Sequence, residues 1–467
     1  MRNLSAIVKS ATLAAAAALL AGCASGYQAW IDPGPVAAPA APGDSLLRRA
    51  ATDRGGASGG LVVIVSFSGG GMRAAALAYG VLEALREVRF QWDGRGTTLL
   101  EQVDVLAGVS GGSIPAAYYA AFGARTFEEF RPQFLYRDFG AALISETLSA
   151  QGSRRLSSPR YGRGDLLAEQ LDELLFRGAT FGQLGGREGP DLFVTATDLS
   201  LGTSFEFTPE QFRLICADLG AVPLAVAVAA SNAAPVVFAP LTLQNYGGHC
   251  AGEFPWSPGP GAPADAGPQV RRYAGEQATY RDSAQRPYIH LVDGALADNL
   301  GLRRLLEDVA MSGGLAPALR ASGARGVRRV VLLAVSAERQ RYFEVDQDAR
   351  VPSPLSTFRG IQYGVLTRRS AETADFIDDT VRGWREELGR LAGQAESPYA
   401  AGAEIYDIQV GLKTLPEGPV RQELIELPTA YSLARGQVDA VIGAAREILR
   451  ASPEFQRLLR DLGASAP

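Results

Sequence analysis

The chain has 467 residues, 47% of them hydrophobic and 20% charged, and a net charge of −5. That length and apolar content suffice for a large buried core, in one big α/β domain or two smaller ones. The negative balance excludes the basic footprint of a nucleic-acid binder, and the 53 glycines and 27 prolines follow no fixed period, which excludes a solenoid.

In chain order, Arg2 and Lys9 precede an apolar run from Ala11 to Ala21. The run is too short to span a bilayer and suits a secretory signal over residues 1–22. It ends in Leu20-Ala21-Gly22-Cys23, which resembles the bacterial lipobox. That resemblance implies cleavage before Cys23, lipid on its sulfur and, from Ala24 behind it, sorting to the outer membrane; an ordinary cleaved signal with an incidental cysteine is the alternative. Residues 23–58 are rich in Ala, Pro and Gly and read as a tether, so the fold is expected to open near Leu61. Export would put Cys216 and Cys250 in an oxidising compartment, where a bridge between them is expected. The alternative is two unpaired thiols, with Cys216 buried on an apolar helix.

Strands and helices then alternate. Leu61–Phe67 is a β-branched apolar run, the pattern of a strand buried on both faces. Arg73–Val88 has helical spacing, Val103–Ala107 is a second short strand, and Gly112–Phe122 a second helix. Asp191–Leu199 and Val327–Ser336 read as further strands, and Val222–Ala230 as a buried helix whose Pro223 is tolerable only in the first turn. This alternation predicts an α/β fold with a mainly parallel sheet covered on both faces. Residues 247–287 interrupt it with Gly, Pro and polar residues, and a loop this long reads as a lid or a mobile segment. Residues 338–467 look mostly helical, with a strand at Glu404–Leu412, and no linker cuts a separate domain out of residues 59–467.

Two stretches carry chemistry. Gly108-Val109-Ser110-Gly111-Gly112 fits G-x-S-x-G between a strand and a helix, the setting of a nucleophile elbow that holds a serine hydroxyl exposed above the sheet. A nucleophilic serine needs a base and an oxyanion site. The chain has two histidines, His249 and His290. His249 lies in the long loop, and strand alternation puts His290 on the face opposite Asp293. That leaves Asp293, at the carboxyl end of its strand, as the candidate base, with an ordinary Asp-Gly turn as the alternative. Gly69-Gly70-Gly71-Met72-Arg73 also follows a strand and opens a helix, so its backbone N–H groups can converge on an anion. Arg73 would steady that loop, draw in an anionic substrate, or simply sit at the surface.

The ordered set Gly69–Arg73, Gly108–Gly112 and Asp293-Gly294-Ala295 resembles the patatin-like phospholipase family, whose pattern is G-G-G-x-R, G-x-S-x-G and D-G-[GA]. The helix-ending segment Ala230–Pro235 is similar too, and Leu427–Leu433 more loosely resembles exported bacterial members. The resemblance covers roughly residues 60–305. It implies a three-layer patatin-like sandwich with a helical C-terminal extension and a Ser110–Asp293 dyad without histidine. Gly69, Gly70 and Gly71 would form the oxyanion hole, and the reaction would be acyl hydrolysis of lipid esters through an acyl-enzyme, with no metal or other cofactor. The partners implied are a lipid or acyl-ester substrate and, through Cys23, a membrane, with no nucleic acid. Ala74 stands where a glycine often follows the arginine, and the 247–287 insertion is foreign to the pattern. Rival readings are a non-catalytic patatin fold used for binding or assembly, and acyl transfer to an alcohol. A dinucleotide fingerprint at Gly69-x-Gly71-x-x-Ala74 lacks the acid that should end the next strand, since Asp104 starts it.

Overall fold

The computed structural model describes residues 30–36, 60–158, 161–184, 189–250, 268–338, 344–347 and 349–465. The expected leader, Cys23 and most of the expected tether lie outside the described residues. The strands are β1 (Trp30–Ile31), β2 (Leu61–Phe67), β3 (Arg89–Trp92), β4 (Arg95–Thr98), β5 (Val105–Val109), β6 (Asp191–Asp198), β7 (Thr203–Glu206), β8 (Leu241–Gln244), β9 (Tyr288–Asp293), β10 (Val327–Ser336) and β11 (Tyr399–Gly411). The helices that matter here are α1 (Gly71–Glu87), α2 (Ser113–Phe122), α3 (Phe139–Leu148), α4 (Leu224–Ser231), α5 (Pro268–Tyr280), α6 (Arg303–Met311), α7 (Leu315–Ala321), α8 (Pro354–Leu391), α9 (Arg435–Ala451) and α10 (Pro453–Leu462).

The central sheet runs β1-β8-β9-β6-β5-β2-β10-β11, with β7 paired to β6 off this path. Strands β6, β5, β2, β10 and β11 are mutually parallel. β7 and β9 run antiparallel to β6, and β8 antiparallel to β9. The sheet is therefore mainly parallel, as the sequence pattern implied. Its two faces are sealed by different helices, and the strand residues sort by parity. Val63, Val65 and Phe67 of β2 and Val331, Leu333 and Val335 of β10 pack with α1, α2, α4, α9 and α10. Val62 and Ile64, with Val330 and Leu332, pack with α6, α7 and α8. Period-2 alternation with apolar residues at both parities is what a doubly covered strand requires.

Two features depart from expectation. First, Trp30–Ile31 pairs in parallel with Thr242–Leu243 of β8, and Pro35 bridges to Ala217, so part of the expected tether is an edge of the sheet. Two paired residues are too few to leave a periodic signal. Second, 13 residues of the expected loop 247–287 form the helix α5. Tyr273, Ala274, Gln277 and Tyr280 form its buried stripe at helical spacing, and Tyr280 donates to Asp198 Oδ2 at 2.9 Å. The Asp198 carboxylate also holds Arg286 in an ion pair. The C-terminal part is mostly helical with one strand, as expected, and joins the core directly. β11 extends the parallel block beyond β10, and α9 packs so tightly on α1 that a Cβ on Gly80 would lie 2.8 Å from the Ile442 carbonyl oxygen. Cys216 and Cys250 are joined by a disulfide, with Cα atoms 5.5 Å apart. The Cys216 carbonyl in turn accepts from the Val36 N–H.

Candidate active site

Strands β2 and β5 are neighbours, with Phe67 opposite Gly108, so their glycine turns open at the same edge of the sheet and lie against each other. A Cβ on Gly111 would sit 2.1 Å from the Gly71 carbonyl oxygen, a separation no side chain tolerates. Asp293 reaches the same place by a different route. β9 runs antiparallel to β6 but overlaps only its last residues, with Asp293 opposite Ala196. Val109 pairs with the preceding Thr195 from the other side. Ser110 and Asp293 therefore flank Ala196 from the two neighbouring strands.

Ser110 has φ +47°, an unusual conformation for a residue with a side chain and the signature of a strained elbow. Its Oγ donates to Asp293 Oδ2 at 3.0 Å, and Asn232 Oδ1 lies at the longer distance of 3.4 Å. Neighbours hold the strained turn. The Ser110 N–H donates to Ser231 Oγ at 2.7 Å, and that hydroxyl donates onward to the Thr195 carbonyl at 2.6 Å. Asn232 Nδ2 donates to the Ser110 carbonyl at 2.9 Å and to the Val228 carbonyl at 2.8 Å. Asp293 Oδ1 accepts from the Ala295 N–H at 3.0 Å. Burial pushes the Asp293 carboxyl pKa up to about 6, against the smaller opposing pull of the Ala295 N–H and the Ser110 hydroxyl. A carboxylate poised there is ionised at neutral pH and still a competent proton acceptor.

The glycine loop needs one correction. The Gly69 N–H is already engaged, donating to the Asn299 carbonyl at 3.2 Å and to its Oδ1 at 3.1 Å, so it is not a free oxyanion donor. The N–H groups of Gly70 and Gly71 form no hydrogen bond among the described residues, and they open α1, where a helix leaves its first donors unpaired. Arg73 is not a surface residue. It is almost fully buried, with Nε donating to the Ala337 carbonyl at 2.9 Å and Nη1 to the Leu427 carbonyl, so it braces the loop from behind. His290 is exposed, and its Nδ1 meets Thr242 Oγ1 at 3.0 Å; His249 Nδ1 meets the Tyr246 carbonyl and Ser283 Oγ at 3.1 Å each. Neither bonds to Ser110.

Four supporting residues had no role assigned from the sequence. Ser231 and Asn232 lie in the Ala230–Pro235 segment, which carried a signal. Tyr431, whose hydroxyl donates to the Asn232 carbonyl at 2.9 Å, lies in the Leu427–Leu433 segment, which carried a weaker one. Asn299, the anchor of Gly69, carried none.

Residues 65–306, just over half of the chain, match the model of the family described as patatin-like phospholipase. The chain belongs to the patatin-like phospholipase family. The matched segment contains the glycine loop, the serine elbow and Asp293, and stops before the C-terminal region. Among solved structures, human GIVD cytosolic phospholipase A2 is 11% identical, with a TM-score of 0.43, covering 89% of this chain; the chain spans 62% of that structure's length. The same human protein in complex with methyl gamma-linolenyl fluorophosphonate gives 12% identity and a TM-score of 0.39, over 90% of this chain and 62% of that one. VipD from Legionella pneumophila gives 11% identity and a TM-score of 0.24, over 83% of this chain and 66% of that one. No curated protein is matched.

Proposed function

We propose that this patatin-like protein is a serine acyl hydrolase of lipid esters, of the phospholipase A, lysophospholipase or carboxylesterase type, working through a Ser110–Asp293 dyad. The observation that carries the reading is the 3.0 Å contact from Ser110 Oγ to Asp293 Oδ2 in a buried elbow. In this reading Ser110 Oγ attacks the ester carbonyl carbon as its proton passes to Asp293 Oδ2. The carbonyl oxygen takes up the negative charge and is met by the N–H groups of Gly70 and Gly71, a contribution that typically amounts to about 10²–10³ in rate per donor. Collapse breaks the ester bond, and the departing alkoxide takes the proton from Asp293. Water then attacks the acyl-enzyme, giving its proton to Asp293, and the fatty acid leaves as Ser110 regains its hydrogen.

The test is a panel of phospholipid, lysophospholipid and short-chain ester substrates, with a fluorophosphonate probe as the reporter of serine reactivity. Wild type should hydrolyse part of the panel and take the probe on Ser110, and Ser110→Ala should lose both. Asp293→Asn should lower kcat by about 10²–10⁴, the usual size of a general-base contribution. Undiminished turnover in that variant removes Asp293 from the mechanism. The same reading has the protein exported and anchored through a lipid on Cys23. The Cys216–Cys250 bridge supports export, since such bonds persist in oxidising compartments.

A further inference from the structure

The matched family segment ends at residue 306, yet residues 427–431 touch the site at four points. The Leu427 carbonyl accepts from Arg73, and the Ala430 carbonyl accepts from the Met72 N–H at 2.7 Å. Gly71, with φ +61°, lies so close to this strap that a Cβ on it would come within 2.5 Å of the Ala430 carbonyl oxygen. Tyr431 then reaches across, and its hydroxyl donates to the Asn232 carbonyl. The strap thus runs from the oxyanion loop to the residue that holds Ser110. The Tyr431 ring sits between Phe139, 6.1 Å away centre to centre, and Phe238, 5.6 Å away. Phe139 and Phe238 are buried, and of the three rings Tyr431 is the one that keeps some exposure. Burial and, after it, the charge of Asp293 push the Tyr431 hydroxyl pKa well up, which keeps that hydroxyl a neutral donor.

We propose that Tyr431 is a specificity-determining and positioning residue of this site: its ring walls the crevice against the acyl chain, and its hydroxyl fixes Asn232 and through it the Ser110 elbow. The ligand class follows from the Tyr431 ring itself, an apolar surface backed by the buried Phe139 and Phe238, which offers an acyl chain contact and carries no charge to pair with a head group. The inference rests on the acyl-hydrolase reading above, and the experiment separates the two. An aliquot of the whole protein is titrated with a fluorophosphonate to count reactive Ser110, and kcat/KM per reactive site is measured on unlabelled protein for esters of short and long acyl chain and, at fixed chain, for alcohols of differing polarity. Tyr431→Ala should change the long-to-short ratio by about tenfold, the scale of a lost or gained contact of a few methylenes, and leave the alcohol series within about twofold of wild type. Tyr431→Phe keeps the wall, so its chain-length ratio should stay as in wild type while kcat falls by about tenfold with KM little changed, the signature of a displaced nucleophile. Both ratios are normalised to the reactive sites counted on a separate aliquot, so partial unfolding does not move them, and Tyr431→Leu, which fills the space without a ring, replaces the alanine variant if that does not fold. An unchanged chain-length ratio in the variants lacking the ring, or an effect on the alcohol series instead, overturns the wall; an unchanged kcat in Tyr431→Phe overturns the positioning role. A wild-type protein that neither labels nor hydrolyses rejects the acyl-hydrolase reading itself.

Discussion

Asp293 concentrates the electrostatics of the site in one residue. Its carboxyl titrates near 6 in the folded protein instead of its ordinary 3.8 because burial penalises the charged form. Two consequences follow. As the base in the proposed mechanism it must be ionised, so kcat/KM should rise with pH through an acid limb near pH 6 and flatten above pH 7. Folding linkage gives the second. Between about pH 4 and pH 6 the native state holds a proton that the unfolded chain has released, so this residue's contribution to stability falls as pH rises through that window. Asp293→Asn removes the dependence. Thermal melts of variant and wild type should therefore be closest near pH 4, and the variant should gain on wild type as pH rises from about 4 to about 6 and hold that lead above it. A difference that stays flat from pH 4 to pH 8 would place the Asp293 carboxyl at an ordinary pKa. The sequence made Asp293 legible through the Asp-Gly-Ala motif and through the poor placement of both histidines, but its poise near neutrality comes from burial, which only the packed fold supplies.

At the scale of elements, the turn after β2 and the turn after β5 work as one unit, because adjacent parallel strands put their carboxyl ends side by side. Gly71, Gly108, Gly111 and Gly112 there meet backbone rather than open space, which makes substitution a graded test. Gly71→Ala places a methyl 2.5 Å from the Ala430 carbonyl oxygen in a backbone conformation of φ +61°. Gly94, in the turn between β3 and β4, has φ +78° and nothing within 4 Å. Gly94→Ala should therefore carry backbone strain alone, about 1 kcal/mol, within the range for an ordinary residue held in the left-handed region. Gly71→Ala should cost that and a displaced strap as well, at least about 2 kcal/mol in chemical denaturation, with activity falling further because Gly71 carries a proposed oxyanion donor. Equal stability losses in the two variants would show that the strap yields freely. The motif-bearing elements were legible because strand, glycine turn and helix are contiguous in sequence. The contacts of Asn299 and Tyr431 were not, since they join residues 230 and 199 positions apart, and no local pattern encodes so distant a partner.

For the whole molecule, strand parity and element alternation were enough to read a doubly covered, mainly parallel sheet, while the short N-terminal edge strand escaped because two residues have no period. That strand bears on how the protein would stand on a membrane. If the tether ran free from Cys23 to Gly60, the anchor could reach about 130 Å, at about 3.6 Å per extended residue. With Trp30–Ile31 paired to β8, only the residues between Cys23 and Trp30 remain for the span, and the same rise limits the reach to about 25 Å. Lipidated full-length protein on a supported bilayer should therefore show, by neutron reflectometry, a gap between lipid surface and protein no wider than about 25 Å. Ile31→Pro takes away the Ile31 backbone donor and should weaken β1 enough to widen the gap. Cys23→Ala should leave no anchored layer. A wild-type layer farther out than the short span permits would mean either that β1 is undocked at the membrane or that the lipid sits elsewhere; the Cys23→Ala protein tells these apart, because it stays bound only in the second case.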